Sequence, residues 1–155
     1  MAFLEWLQAS ALSTWVREGE SVWAYPTILT LHTFGLGILV GLAAVVNLRL
    51  LGVGGRMPLA PLRPLFPIMW GGFWLNAVTG SMLFMADAPN RGTSLFFLAK
   101  MVFVALGVVS LVLIRRAMFD APADQGARPP ARGLAILSLA AWIAAITTGR
   151  LLAYV

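Results

Sequence analysis

The chain has 155 residues, of which 60% are apolar and 11% charged, and a mean hydropathy of +0.87, so it holds too little polar surface to coat a soluble domain. Its formal net charge of +5 arises from 11 basic against 6 acidic residues, and it contains no cysteine. That composition excludes a disulfide framework, a thiolate metal site, an iron–sulfur cluster and a covalently attached c-type haem.

The pattern predicts one all-α domain over residues 1–155, an integral membrane four-helix bundle with an N-terminal interfacial amphipathic helix. In residues 1–20, Phe3, Leu4, Leu7, Ala11 and Trp15 recur at helical spacing, with Glu5, Gln8, Ser10 and Glu18 mostly between them. The opening residues lack a basic n-region and carry Glu5 at once, so the segment is expected to be retained rather than cleaved as a signal peptide. Apolar runs over 23–51, 65–86, 95–114 and 133–155 then each approach or exceed the roughly 20 residues that cross a hydrocarbon core. Between the first two runs, Gly52, Gly54 and Gly55 with Pro58, Pro61 and Pro64 break the helix, and a polar linker over 120–130 precedes the fourth.

Arg49, Arg56, Arg63, Arg115, Arg116, Arg128 and Arg132 all fall at one end of the four runs, which makes that end cytoplasmic and puts both termini outside. The positive charge is therefore a topology signal. No basic groove interleaved with aromatic residues points to a nucleic-acid partner.

His32 is the sole histidine and lies within the first apolar run, where an imidazole is costly unless partnered. At about 1.5 Å per residue, His32 lies roughly 10 Å below the outer boundary, Lys100 about 9 Å and Arg150 about 7 Å, so three cations from three helices share a level. Asn76 and Thr79 lie nearer the midplane, and the membrane runs carry no carboxylate. Buried cations need an anion or must lose their charge, and the propionates of a haem whose iron is held by His32 would meet that need. Gly35 lies within about 60° of His32 on a helical wheel and leaves room for a flat ring. Singly, these residues have ordinary structural uses: an interhelical hydrogen bond for His32, Asn76 and Thr79, and snorkelling for Lys100 and Arg150.

Gly37 and Gly41 form a Gly-x-x-x-Gly pair on roughly the opposite side of the first helix, a seam suited to close packing against another helix. Met82 and Met85, with His32, offer soft ligands for Cu(I), although methionine is also common filler in apolar helices.

The segments Leu31-His32 with Arg49, Gly72-Phe-Trp-Leu75, Thr79-Gly80, Leu83-Phe84 and Phe97-Leu-Ala-Lys100 resemble an uncharacterised family of small bacterial four-helix membrane proteins. The terminal Gly149-Arg150-Leu and Ala-Tyr154 belong to the same likeness. More distantly the chain resembles the membrane protoporphyrinogen IX oxidase and copper resistance protein D group. That resemblance implies the bacterial inner membrane, a haem b held by a histidine of the first helix, here His32, and a functional lysine of the third, here Lys100. With one histidine per chain, the sixth iron position would be open, taken by Met82, or filled by a second protomer.

The sequence thus leads to a haem b membrane protein for electron transfer, with His32 as iron ligand and Gly35, Asn76, Lys100 and Arg150 around the cofactor. Its partners would be membrane lipid and a quinone or external redox protein. Two alternatives stand beside it. One is a non-catalytic subunit or assembly factor that forms a homo-oligomer or joins a larger membrane complex through its glycine seams. The other is copper transport or delivery through His32 and Met82.

Overall fold

Where side chains are apolar all round and water is absent, the backbone must satisfy its own N–H and C=O groups, and a helix does so within one segment. In the computed structural model, which describes residues 2–18, 23–55, 58–120, 131–152 and 154, the four apolar runs form four long helices. These are α3 (Ala24–Leu51), α4 (Leu65–Ala86), α6 (Leu95–Arg115) and α7 (Ala131–Leu151). No strand occurs among the described residues. Short helices α1 (Ala2–Gln8), α2 (Ala11–Glu18) and α5 (Ala88–Thr93) complete the order.

The ends obey local chemistry. Gly52 closes α3 at φ 104°, donating its N–H to Arg49 O while the Val53 N–H reaches Leu48 O at 3.0 Å. Only glycine takes that left-handed backbone without strain. Ala60–Leu62 then makes a single 3-10 turn before Pro64 leads into α4.

Among the described residues three helical segments are long and apolar enough to cross a membrane, Ala24–Leu51, Leu95–Phe119 and Arg132–Leu151. Only 28%, 22% and 28% of their apolar windows is buried inside the molecule, so most of that surface needs an apolar solvent. α4 has 22 residues, but Pro67, Gly71, Gly72, Asn76, Thr79 and Gly80 dilute its apolar character.

Packing runs in a chain of pairs: α3 lies along α4, α7 bridges to α3, and α6 lies along α7, whereas the α4 and α6 backbones stay apart and meet through side chains such as the Phe84–Phe97 ring stack at 4.9 Å. The main core sits at the end that carries Arg49, Arg63, Arg115 and Arg132. There Leu39, Val46, Phe66, Met69, Ile114 and Trp142 interlock. Trp142 lies so close on α6 that a Cβ at Gly107 would come within 2.7 Å of its ring. Asn47 and Ser138, both buried, join α3 to α7 through a 2.9 Å hydrogen bond.

The N-terminal segment departs from the single helix expected over residues 1–20. Ser10 breaks it, because its hydroxyl accepts the Ser13 N–H at 3.3 Å and caps α2. α2 packs on the bundle rather than standing apart: Ser13 Oγ donates to Met85 O at 2.9 Å, and Val16 is buried with Ile28 and Ala86. The expected apolar stripe is therefore divided. Phe3, Trp6 and Trp15 face outward while Leu4 rests on Gly92. The turn expected at 87–91 is the start of α5, held by an Asp87–Arg91 ion pair of 3.3 Å and by Asn90 Nδ2 donating to Asp87 Oδ1 at 2.7 Å. Arg56, Glu20, Arg128 and most of the linker over 120–130 lie outside the described residues.

Candidate functional site: the His32–Asn76 clasp and Lys100

α3 and α4 cross at two glycines. A Cβ on Gly35 would lie 2.8 Å from Asn76 N and 2.9 Å from Gly72 O, and one on Gly72 would lie 2.9 Å from Gly35 O. The expected room beside Gly35 for a flat ring is therefore taken by the α4 backbone. Its function in the fold is close approach of two helices, the commoner use of small residues in membranes.

That approach brings His32, one turn along α3, onto α4. Its Nδ1 lies 3.0 Å from Asn76 O and 3.2 Å from Thr79 Oγ1. A carbonyl oxygen only accepts, so Nδ1 carries the proton and Nε2 is the bare nitrogen of the neutral ring. Thr79 already donates its own proton to Leu75 O at 2.6 Å, which leaves a lone pair to share the Nδ1–H. Asn76 answers in the other direction, its Nδ2 donating to His32 O at 2.8 Å. The same amide stands 3.4 Å from Nε2, a long contact for a hydrogen bond. Gly80 forms the floor, since a Cβ there would come within 2.9 Å of His32 Cε1.

Lys100 reaches this site from α6. Its aliphatic stem crosses α7 at Gly149, where an added Cβ would meet Cδ and Cε at 3.4 Å. Lys100 is half-buried, and its ammonium lies near the His32 ring and Arg91. Among the described residues no carboxylate is paired with it; Asp87 is taken by Arg91 and Asn90. Lys100 thus sets one positive charge beside the neutral His32 ring, a combination that favours an anionic guest.

Two expected members lie elsewhere. Arg150 is exposed and turns onto the Tyr154 ring, its guanidinium carbon 5.6 Å from the centroid, so the three-cation layer reduces to His32 and Lys100. Equal depth along a helix does not fix direction around it. Met82 packs with Leu83 against Val16, Ile28 and Ala86, beneath α2. Among the described residues no group of three or more histidine, cysteine, aspartate or glutamate side chains is assembled for a metal.

Thr79 and Gly80 belong to the site more intimately than their sequence positions suggested. Gly149 was legible only within the terminal Gly149-Arg150-Leu segment. Its contact with Lys100 depends on which face of α7 meets α6.

No protein-family model, curated protein or solved structure matches this chain. The fold and hydropathy themselves define the class: among the described residues, an all-helical protein with three helices long and apolar enough to cross a membrane.

Proposed function

We propose that the protein is a four-span protein of the bacterial inner membrane that binds a b-type haem for electron transfer, with His32 holding the iron and Lys100 a propionate. α4 serves as the fourth span. Its exposed Ile68, Trp74 and Val78 suit a lipid-facing surface, and with α4 as a span both termini would lie on the side opposite the arginines. Phe3, Trp6, Trp15 and Trp23 are exposed near the outer end, which suits an aromatic belt at the interface.

One observation carries the reading. The carbonyl of Asn76 fixes the proton on Nδ1, which is how an axial histidine is oriented so that Nε2 is free for metal. The weak Asn76 contact at Nε2 is the only hydrogen bond the ring would exchange for iron. A haem supplies one-electron chemistry, for which a quinone or an external redox protein would be the partner. The chain's own contribution is the tautomer, the cation at Lys100 and an apolar surround.

Visible absorption of protein purified after growth with ample haem precursor tests this. A Soret band in the parent that is lost in folded His32→Ala supports it, and a parent without a Soret band removes it.

A second reading rests on a separate observation. A Cβ on Gly37 or Gly41 would meet nothing within 4 Å, and both glycines line an open groove of about 880 Å³ along the outer face of α3. This is the face that a subunit or assembly factor would offer to a neighbouring membrane helix. Co-purification of a stoichiometric partner or a second copy, lost in Gly37→Leu/Gly41→Leu, supports that reading. Association unchanged in the double variant defeats it.

A further inference from the structure

A cleft unrelated to His32 opens at the other end of the bundle. Over this stretch the α4 and α6 backbones stand apart, and a space opens between them above the buried Leu39 of α3. The result is a cavity of about 320 Å³ with Leu39 as its floor. Trp70 and Phe73 of α4 form one wall, and Val108 and Val112 of α6 the other. Arg115 and Arg116, both exposed, stand at its rim.

Beyond α6 the helix runs on through Arg116–Asp120 in π-type geometry. Phe119 meets the edge of Phe66 at 5.7 Å between centroids, and Met118 packs on the same core.

We propose that this cleft binds one acyl chain of an anionic membrane phospholipid, with the phosphate held by Arg115 and Arg116. The volume lies at the low end of the roughly 300–1,000 Å³ typical of ligand pockets, enough for one chain and too small for a whole two-chain lipid. The walls are aliphatic and aromatic, so the buried part of the guest is apolar. Among the described residues that line the cleft the charged ones, Arg115 and Arg116, are both positive, which selects an anionic headgroup, and guanidinium groups bind phosphate in paired hydrogen bonds. Basic sites between membrane helices are recognised places for anionic headgroups.

Native mass spectrometry of the detergent-purified protein, titrated in turn with phosphatidylglycerol, phosphatidylcholine and inorganic phosphate, tests the proposal. One phosphatidylglycerol is expected to bind per chain, well ahead of phosphatidylcholine. In Arg115→Gln/Arg116→Gln its affinity should fall roughly thirtyfold, since each arginine near an anionic headgroup is worth about fivefold. Val108→Trp, which fills the cleft and keeps both arginines, should lose the lipid. Equal binding of the two lipids by the parent overturns the proposal. Undiminished phosphatidylglycerol binding by Val108→Trp overturns it too, because the arginines would then be meeting lipid at the surface. Inorganic phosphate that binds as tightly as the lipid makes this a simple anion site and also defeats it. Should Val108→Trp fail to fold, the parent's lipid preference and the arginine variant decide alone.

Discussion

His32 and Asn76 exchange side-chain-to-backbone hydrogen bonds across the α3–α4 crossing, Nδ1 to Asn76 O at 3.0 Å and Nδ2 to His32 O at 2.8 Å. Each residue thereby uses the other's carbonyl, an oxygen already committed to its own helix. The pair locks rotation and sliding together, and it can form only because Gly35 and Gly72 let the two backbones come close.

Asn76→Leu should remove the return bond and leave His32 donating alone. Hydrogen bonds between membrane helices are worth about 0.6 kcal/mol on average and up to about 1.7. A loss within that range is the expected outcome in a reversible unfolding titration in mixed micelles. Stability equal to the parent would show that the clasp contributes nothing.

Gly35→Val and Gly37→Val should behave oppositely although they lie two residues apart. At Gly35 the new Cβ collides with α4 backbone at 2.8 Å, which cannot yield as a side chain can, and overpacking of this kind costs about 1–3 kcal/mol. At Gly37 there is open space, so the monomer should melt as the parent does. Similar melting temperatures for the two variants would contradict the crossing geometry.

Lys100→Met keeps the apolar stem across Gly149 and removes the charge. The fold should hold by circular dichroism, while haem content per protein falls several-fold if the ammonium meets a propionate. Full haem occupancy in the variant would leave Lys100 with a packing role only.

Ser10→Ala should loosen the start of α2 by about 1 kcal/mol, the usual worth of an N-cap side chain. Amide hydrogen exchange at Ser13 and Thr14 reads this directly. No faster exchange there would mean that tertiary contacts at Ser13 and Val16, not the cap, hold the helix.

Much of the molecule was readable before folding. The four long helices begin and end within a few residues of the apolar runs, because a backbone without water has one economical way to satisfy itself. His32, Asn76, Thr79 and Lys100 stood out because polar groups in such runs need partners. Arg150 was misplaced for a simple reason: depth follows from counting residues, but azimuth depends on which face of α7 turns toward α6, and packing of Trp142 on Gly107 settles that. Gly35 was misread for a related one, since a glycine beside an imidazole admits a ligand or a neighbouring backbone equally well.

By itself, then, the sequence determined the apolar character, the four long helices with their approximate ends, and the inventory of ionisable groups, all of which follow from local hydropathy and backbone satisfaction. Only the tertiary structure decided who meets whom. The α3–α4 crossing chose Asn76 O as the histidine's acceptor, and the separation of the α4 and α6 backbones opened the cleft beside Arg115 and Arg116. Contacts between helices depend on rotation about each axis, a quantity that apolar runs with little polar face leave free until small residues and bulky ones find their complements.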